Sequence, residues 1–253
     1  PTHKDADMAD TPKIVAHRGH TEDFPENTLP AFQAALEHGA DAIELDVQFC
    51  RDGTPVVFHD EHLDRLTGTE GALAHQEFED LRKLCVHEPG RFGERFAKHD
   101  IAIPSLTEAA RYLAEHDAPL VFIDVKRDTL AWHDTPAGTQ AVLKACEPLK
   151  ERFVIISADE NLLRQARSMS KVPIGLVLSS WDANEWERAD ALTPEYLFVD
   201  EQQMPPPGSP LWEGPWQWAV YEVNEPERAY ALGKRGVAYV ETRDVRTMKK
   251  GKN

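Results

Sequence analysis

Two histidines, an arginine and a pair of carboxylates fall between Ile14 and Asp60 at spacings that one catalytic centre needs. They occur as His17-Arg18-Gly19, Glu44-Leu45-Asp46 and His59-Asp60, each at the end of an apolar run that reads as a strand. Packing alone gives no reason to end three strands in charged or titratable groups. Acid–base chemistry on an anionic ester does: imidazoles exchange protons near neutral pH, carboxylates hold hard cations, and a guanidinium forks onto phosphate.

The elements that must position these groups are legible from period and punctuation. Ala42 to Cys50 alternates Ile43, Leu45 and Val47 with Glu44, Asp46 and Gln48, the pattern of a strand whose two faces differ. An Asp52-Gly53 pair then separates it from Pro55-Val56-Val57-Phe58, a strong hairpin signal. With those two residues as the turn, Arg51 faces Thr54, Val47 faces Phe58 and Asp46 faces His59, with Cβ atoms roughly 5 Å apart. Further apolar runs lie at Lys13–Gly19, Leu120–Lys126, Arg152–Ala158, Pro173–Ser180, Tyr196–Glu201, Trp218–Asn224 and Ala238–Arg243.

Helical patterns separate most of these runs. Thr28 to His38 follows Asn27 as its cap, and Ser105 to His116 opens on the capping box Ser105-x-x-Glu108. Gly138–Leu149, Asn161–Ser170, Ala183–Asp190 and Pro226–Arg235 complete the set, while Met204–Pro215 is Pro-rich and the chain end Lys249-Lys250-Gly251-Lys252 reads as a basic, solvated tail. The alternation predicts an α/β fold, a (β/α)8 TIM barrel spanning 13–248, rather than an open doubly wound sheet. A small insertion, 61–100, follows the second strand and its hairpin, and residues 1–12 are a flexible N-terminal tail. The insertion's apolar positions, Leu63, Leu66, Phe78, Leu81 and Leu84, are too few for a core of their own. Its histidines His62, His75, His87 and His99 are expected to be exposed.

Barrel enzymes carry their sites at the carboxyl ends of the strands. Asp124 and Lys126, flanking Val125, belong there with His17, Arg18, Glu44 and Asp46, and their parity points both into the barrel. Glu44, Asp46 and Asp124 would repel one another without a divalent cation, and oxygen ligands suit Mg²⁺ or Ca²⁺. Arg18 and Lys126 supply fixed positive charge for a phosphate. Metal, cations and two imidazoles together describe a phosphodiester-cleaving centre.

Composition bounds the alternatives. The chain of 253 residues has a formal net charge of -16, which argues against nucleic acid or an anionic membrane surface as partner. Its three cysteines, Cys50, Cys85 and Cys146, show neither metal spacing nor a disulfide framework, and favour a reducing compartment. No apolar run is long enough to span a bilayer, and residues 1 to 12 lack a signal-peptide core. The expected location is cytoplasmic, although a mature periplasmic or secreted form would look the same.

The order of motifs resembles the glycerophosphodiester phosphodiesterase family. It rests on His17-Arg18-Gly19, Glu26-Asn27-Thr28, Glu44-x-Asp46, the Asp-Gly turn, His59-Asp60-x-x-Leu63-x-Arg65-x-Thr67, Pro104-Ser105-Leu106, Asp124-x-Lys126 and Tyr221-x-Val223-Asn224, and runs from Ile14 to Val245. The resemblance implies a barrel with an insertion after the second unit. It also implies hydrolysis of glycerophosphodiesters, such as glycerophosphocholine or glycerophosphoethanolamine, to an alcohol and glycerol 3-phosphate. By motif it puts catalysis on His17 and His59, metal ligation on Glu44, Asp46 and Asp124, and phosphate contacts on Arg18 and Lys126. Glu26, Asn27 and Tyr221 are second-rank candidates: Asn27 as helix cap, Glu26 as a brace, Tyr221 as core or substrate platform.

Two positions depart from that family's pattern. Asp124 stands where the family usually has Glu, although related lipid phosphodiesterases of the sphingomyelinase D type carry Asp there. Glu241-Thr242-Arg243 stands where the family more often ends in Thr-Asp, placing an extra cation at the rim. Rival functions are a phospholipase D-like enzyme acting on lysophospholipid or sphingolipid, and a non-catalytic module that binds phosphoesters. The former would need an apolar lip, for which Trp181, Trp186, Trp212, Trp216 and Trp218 are available.

Overall fold

Among the described residues nine strands form one sheet, and eight of them are parallel and close on themselves. In the computed structural model, which describes residues 11–126 and 135–250, these are β1 (Lys13–Ala16), β2 (Ala42–Phe49), β4 (Val121–Val125), β5 (Phe153–Ser157), β6 (Ile174–Val177), β7 (Tyr196–Asp200), β8 (Gln217–Tyr221) and β9 (Val237–Thr242). The β1–β2 pairing closes the ring, and β3 (Pro55–Val57) is the antiparallel ninth strand, paired to β2 alone. The main helices are α1 (Leu29–Glu37), α5 (Leu106–Glu115), α6 (Thr135–Ala145), α7 (Glu160–Met169), α8 (Ala183–Leu192), α9 (Pro226–Gly233) and α10 (Val245–Lys250). Three one-turn helices, α2 (Asp64–Thr67), α3 (Phe78–Leu81) and α4 (Pro89–Phe92), lie in the segment between β3 and α5. None of the helices among the described residues is long and apolar enough to cross a membrane. The predicted tail 1–12 falls almost wholly outside the described residues, as does the chain end from Gly251.

Strand parity divides the core into two layers. Ile43, Leu45, Val47, Val121, Ile123 and Val125 face outward into the main cluster, which includes the buried faces of the helices. Val15, Ala42, Phe122, Val154, Ile156, Phe198, Ala219 and Tyr239 fill the barrel itself. Gly175 on β6 makes room for that filling, since a Cβ there would meet Ile156 at 2.8 Å. The same inward parity lifts Glu44, Asp46 and Asp124 above this apolar floor, with Asp46 directly beside Asp124 in the β2–β4 register.

Several local readings need correction. Asn27 is not the cap of α1: Thr28 is, its Oγ1 accepting from the Ala31 amide at 3.4 Å. The sixth crossover, between β7 and β8, holds only a short 3-10 turn, Glu201–Gln203, and Trp181, Trp212 and Trp218 stack against the outer core, with Trp181–Trp212 centroids 4.2 Å apart. Four of the five tryptophans offered as a lip therefore pack against the main core; only Trp186 is largely exposed. The basic end is not simply a tail: Val245–Lys250 is helical, Met248 is buried, and Lys249 pairs with Asp41 at 2.8 Å. His87 is half-buried rather than exposed, bonded through Nε2 to the Thr67 carbonyl at 3.0 Å.

The hairpin register also differs by one residue. Val47 pairs with Val57, not Phe58. The Gly53 amide donates to the Cys50 carbonyl at 2.9 Å, and the Cys50 amide to the Thr54 carbonyl at 3.2 Å, so the loop has three residues, Arg51 to Gly53. Only Gly53, at φ +81, is left-handed there. Asp52 instead stays in ordinary backbone space and accepts the Thr54 amide through Oδ1 at 2.9 Å. Phe58, not His59, therefore sits opposite Asp46, its amide donating to the Asp46 carbonyl at 3.0 Å.

Candidate active site

The site begins with backbone that only a few residues tolerate. β1 ends at Ala16, and the His17 amide still bonds to the Thr242 carbonyl of β9 at 3.0 Å. Arg18 then turns left-handed at φ +57, and Gly19 follows at φ +91. A Cβ on Gly19 would lie 2.7 Å from Ala31 on α1, so the third residue of His-Arg-Gly is glycine for both reasons. The turn aims the Arg18 amide at Glu44 Oε2, 2.9 Å away, and its guanidinium at Asp46 and Glu26.

Asp46 is the hub. Its Oδ2 accepts from Asn27 Nδ2 at 2.8 Å, and its own amide donates to Asn27 Oδ1 at 3.1 Å. This double clasp, with Asn27 left-handed at φ +57, is the work that residue does instead of capping. Arg18 Nε approaches Asp46 Oδ2 at 3.0 Å and Lys126 Nζ approaches Oδ1 at 2.7 Å, ion pairs whose angles miss those of hydrogen bonds. Lys126 also contacts Asp124 closely. Burial alone would raise the Asp46 carboxyl, but Arg18 and Lys126 outweigh it and hold it well below the carboxylate range.

Glu44, Asp46 and Asp124 each offer a carboxylate oxygen, all within 4.8 Å of one another. The shorter arm of Asp124 therefore still reaches the cluster. Burial, then repulsion from Asp46, Glu241 and Asp124, keeps Glu44 well above the ordinary value.

Each predicted histidine has one ring nitrogen tied to a carboxylate. His17 Nδ1 donates to Glu222 at 3.0 Å, and that bond is the main reason the Glu222 carboxyl drops to about 2. His17 Nε2 lies 3.9 Å from Glu241. His59 Nδ1 bonds Asp60 Oδ1 at 2.7 Å, so its partner is Asp60 and not the Asp46 that the hairpin count proposed. Arg65 then bridges Asp60 and Glu26, with its Nη2 2.9 Å and 2.7 Å from their Oδ1 and Oε1. Glu26 thus joins Arg18 to the His59 side of the mouth. Tyr221 lies beside His17, with centroids 6.4 Å apart, and its phenol is held protonated by burial and by Glu241, Asp200 and Asp124. Arg243 pairs outward with Glu22 at 3.2 Å.

Glu222 and Glu241 were not among the predicted site residues. Glu241 shares the inward parity of Tyr239 on β9, so alternation carried far enough along that strand would have exposed it. Glu222 follows the end of β8 across a cis peptide bond from Tyr221, where no period applies.

Burial, with repulsion from Asp124 and Asp46 set against the attraction of His17, lifts Glu241 to about 7. Glu44 and Glu241 both bind a proton more tightly folded than unfolded. The stability they give is complete below the unfolded carboxyl range, about 4.3, and is lost as pH rises through their raised folded values, about 7 for Glu241. In chelator, the melting temperature should therefore fall by a few °C between about pH 5 and about pH 8. A Glu241→Gln variant should fall less. Calorimetry showing a flat or rising melting temperature over that range would contradict this.

A model of the glycerophosphoryl diester phosphodiesterase family matches residues 17–247. The glycerophosphodiester phosphodiesterase of Caldanaerobacter subterraneus subsp. tengcongensis is 37% identical over 179 residues, 70% of this chain and 70% of that protein. Human glycerophosphodiester phosphodiesterase 1 is 42% identical over 112 residues, which make up 44% of this chain and 33% of that protein. Among solved structures, an Oleispira antarctica phosphodiesterase in complex with the product sn-glycerol-3-phosphate has a TM-score of 0.79 at 21% identity, covering 97% of this chain and 98% of that one, a likeness of fold.

Proposed function

The chain belongs to the glycerophosphoryl diester phosphodiesterase family and is a phosphoric diester hydrolase, and from that premise we propose that it cleaves glycerophosphodiesters in a metal-dependent reaction carried by two histidines. The substrates are small glycerophosphodiesters such as glycerophosphocholine and glycerophosphoethanolamine, and the products are an alcohol and glycerol 3-phosphate. The observation that carries this reading is the meeting at one barrel mouth of a three-carboxylate cluster and two imidazoles, each tied at Nδ1 to its own carboxylate.

The donor set fits a hard dication. Three carboxylates supply only oxygen, and their ligand atoms lie within 4.8 Å of one another. Glu44, Asp46 and Asp124 would hold Mg²⁺ or Ca²⁺. Bound there, the ion would neutralise phosphoryl charge and relieve the repulsion that adds to burial in raising Glu44.

Arg18 and Lys126 bind the non-bridging phosphoryl oxygens, and their pairing with Asp46 fixes both cations before substrate arrives. His17 takes the proton from the attacking hydroxyl, which belongs to water or to the neighbouring glycerol carbon. Glu222, on Nδ1, fixes the tautomer that leaves Nε2 free for that proton and stabilises the resulting imidazolium. His59, held the same way by Asp60, gives its Nε2 proton to the departing alcohol. Glu26 and Arg65 keep the Asp60–His59 pair at a constant distance from the Arg18 side.

The test is a panel of glycerophosphodiesters assayed with EDTA, then with Mg²⁺, Ca²⁺, Mn²⁺ or Zn²⁺ restored. EDTA should abolish turnover, and Mg²⁺ or Ca²⁺ should restore release of glycerol 3-phosphate. Undiminished turnover in EDTA would remove the metal from the mechanism. Preferential release of lysophosphatidic acid from lysophospholipids would replace the substrate class with that of a phospholipase D-like enzyme. Binding of a glycerophosphodiester without turnover under every metal condition would leave only a binding module.

A further inference from the structure

Outside the barrel mouth, His20, Asp23 and His38 meet where the β1–α1 loop lies against α1 and the start of α10. We propose that these three residues form a second metal site, suited to a borderline dication such as Zn²⁺ or Co²⁺ rather than to the hard ion expected at the carboxylate cluster. Each offers one ligand atom, and these atoms lie within 4.8 Å of one another. The two imidazoles stand edge to face, with centroids 4.7 Å apart.

The cluster is built around a fixed member. His20 is fully buried, at 0% exposure, and its amide is pinned to the Ala31 carbonyl of α1 at 2.9 Å. Its Nε2 lies 3.2 Å from Asp23 Oδ2, while its Nδ1 is buried and has no hydrogen-bond partner. The two ring nitrogens point in opposite directions, so the ligand atom toward Asp23 would be Nε2, already at a ligand–ligand spacing from the carboxylate. The ring nitrogens of His38 also take no hydrogen bond among the described residues. Burial, with His20 and Arg246 alongside, lowers the pKa of His38, which favours the neutral form that a metal needs.

Donor chemistry separates the two clusters. Two imidazoles and one carboxylate suit zinc or cobalt, and three protein ligands leave a position for water. Tetrahedral zinc would bring the ligand atoms to about 3.4 Å apart. Asp23 and His38 are both partly exposed, one in a loop and the other at the end of α1, so they are free to close that gap onto the immobile His20. Arg246 Nη1 sits 2.7 Å from Asp23 Oδ2 and orients the carboxylate, as outer-shell partners of metal ligands do. An ion here would tie the loop that carries His17 and Arg18 to the far end of α1.

Chelator-stripped protein titrated with Co²⁺ tests this directly, because a site with nitrogen ligands and low symmetry absorbs in the visible and an all-oxygen site does so far more weakly. Wild type and a Glu44→Gln/Asp124→Asn double variant should show the absorption, and both should melt at a higher temperature in Zn²⁺. His38→Ala and the more conservative His38→Gln should lose the absorption and the Zn²⁺ upshift, with affinity at least roughly tenfold weaker. Since His38 ends an outer helix, either variant keeps the fold. Visible bands that survive both His38 variants, bands that vanish in the double variant, or no Co²⁺ absorption in the wild type would each overturn the site.

Discussion

Replacing His59 by alanine should lower kcat on glycerophosphocholine by about 10²- to 10⁴-fold, the range that a positioned general acid contributes. The same variant should lose far less on a substrate whose leaving group is a nitrophenol, which departs as its anion and needs no proton. The geometry motivates the contrast. Asp60 occupies Nδ1 at 2.7 Å, so only Nε2 is free to face substrate. Arg65 holds Asp60 from the other side and is itself anchored on Glu26. The His59 ring is about one-third exposed, 34% by side chain, so its removal should leave the fold intact. The matching change at His17 should reduce both substrates alike, because the proton it accepts comes from the attacking hydroxyl whatever leaves. Equal losses for His59→Ala on the two substrates would exclude the acid role.

The sequence carried the elements further than it carried their contacts. Seven of the nine described strands fall within the predicted runs, and β8 and β9 begin one residue before theirs, because period two and apolar content are local properties, and a buried parallel strand has little else to encode. Ser105-x-x-Glu108 likewise forms a reciprocal capping box, with the Ser105 amide 2.8 Å from Glu108 Oε2. The hairpin register was out by one residue because Asp-Gly serves a two-residue turn or a three-residue loop equally well. Asp52 bonding its own backbone selected the latter. His59 reaches the mouth all the same, since the hairpin projects beyond β2 and returns the chain to the level of Asp46.

Asn27 shows a different limit. As a residue it is a good helix cap, and only the approach of β2 across the loop turns it into a clasp for Asp46. Glu222 and Glu241 were invisible for the same reason: their meaning lies in His17, more than two hundred positions away in the chain. The tryptophans misled because composition does not say whether a ring turns inward to the core or outward, and only Trp218 lies on a strand, where a period could tell. Most of the crossover between β7 and β8 is irregular, and three of those rings fill the space beside it.

Asp46→Ala should have the largest effect on stability and activity together. The carboxylate is 1% exposed and is approached by Arg18 at 3.0 Å and Lys126 at 2.7 Å, with Asn27 donating at 2.8 Å. Deleting it leaves two half-buried cations facing each other with a buried amide, a loss of about 3–5 kcal/mol for such a broken pair. For a chain of this size that corresponds to a melting temperature about 10 °C lower. The sign with pH follows from its depressed carboxyl. Asp46 gives its stability above the unfolded carboxylate range and loses it as pH falls through the folded value. Wild type and variant should therefore differ at neutral pH and converge toward acid. Asp46→Asn keeps the shape and the backbone bond to Asn27, so it should melt closer to wild type. It loses the charge, however, and with it the arrangement that holds Arg18, Lys126 and the proposed ion together. Its kcat should fall at least about 10³-fold, the equivalent of several kcal/mol of transition-state stabilisation. An asparagine variant that is stable yet nearly as active as wild type would mean that the carboxylate braces the mouth and takes no part in the chemistry.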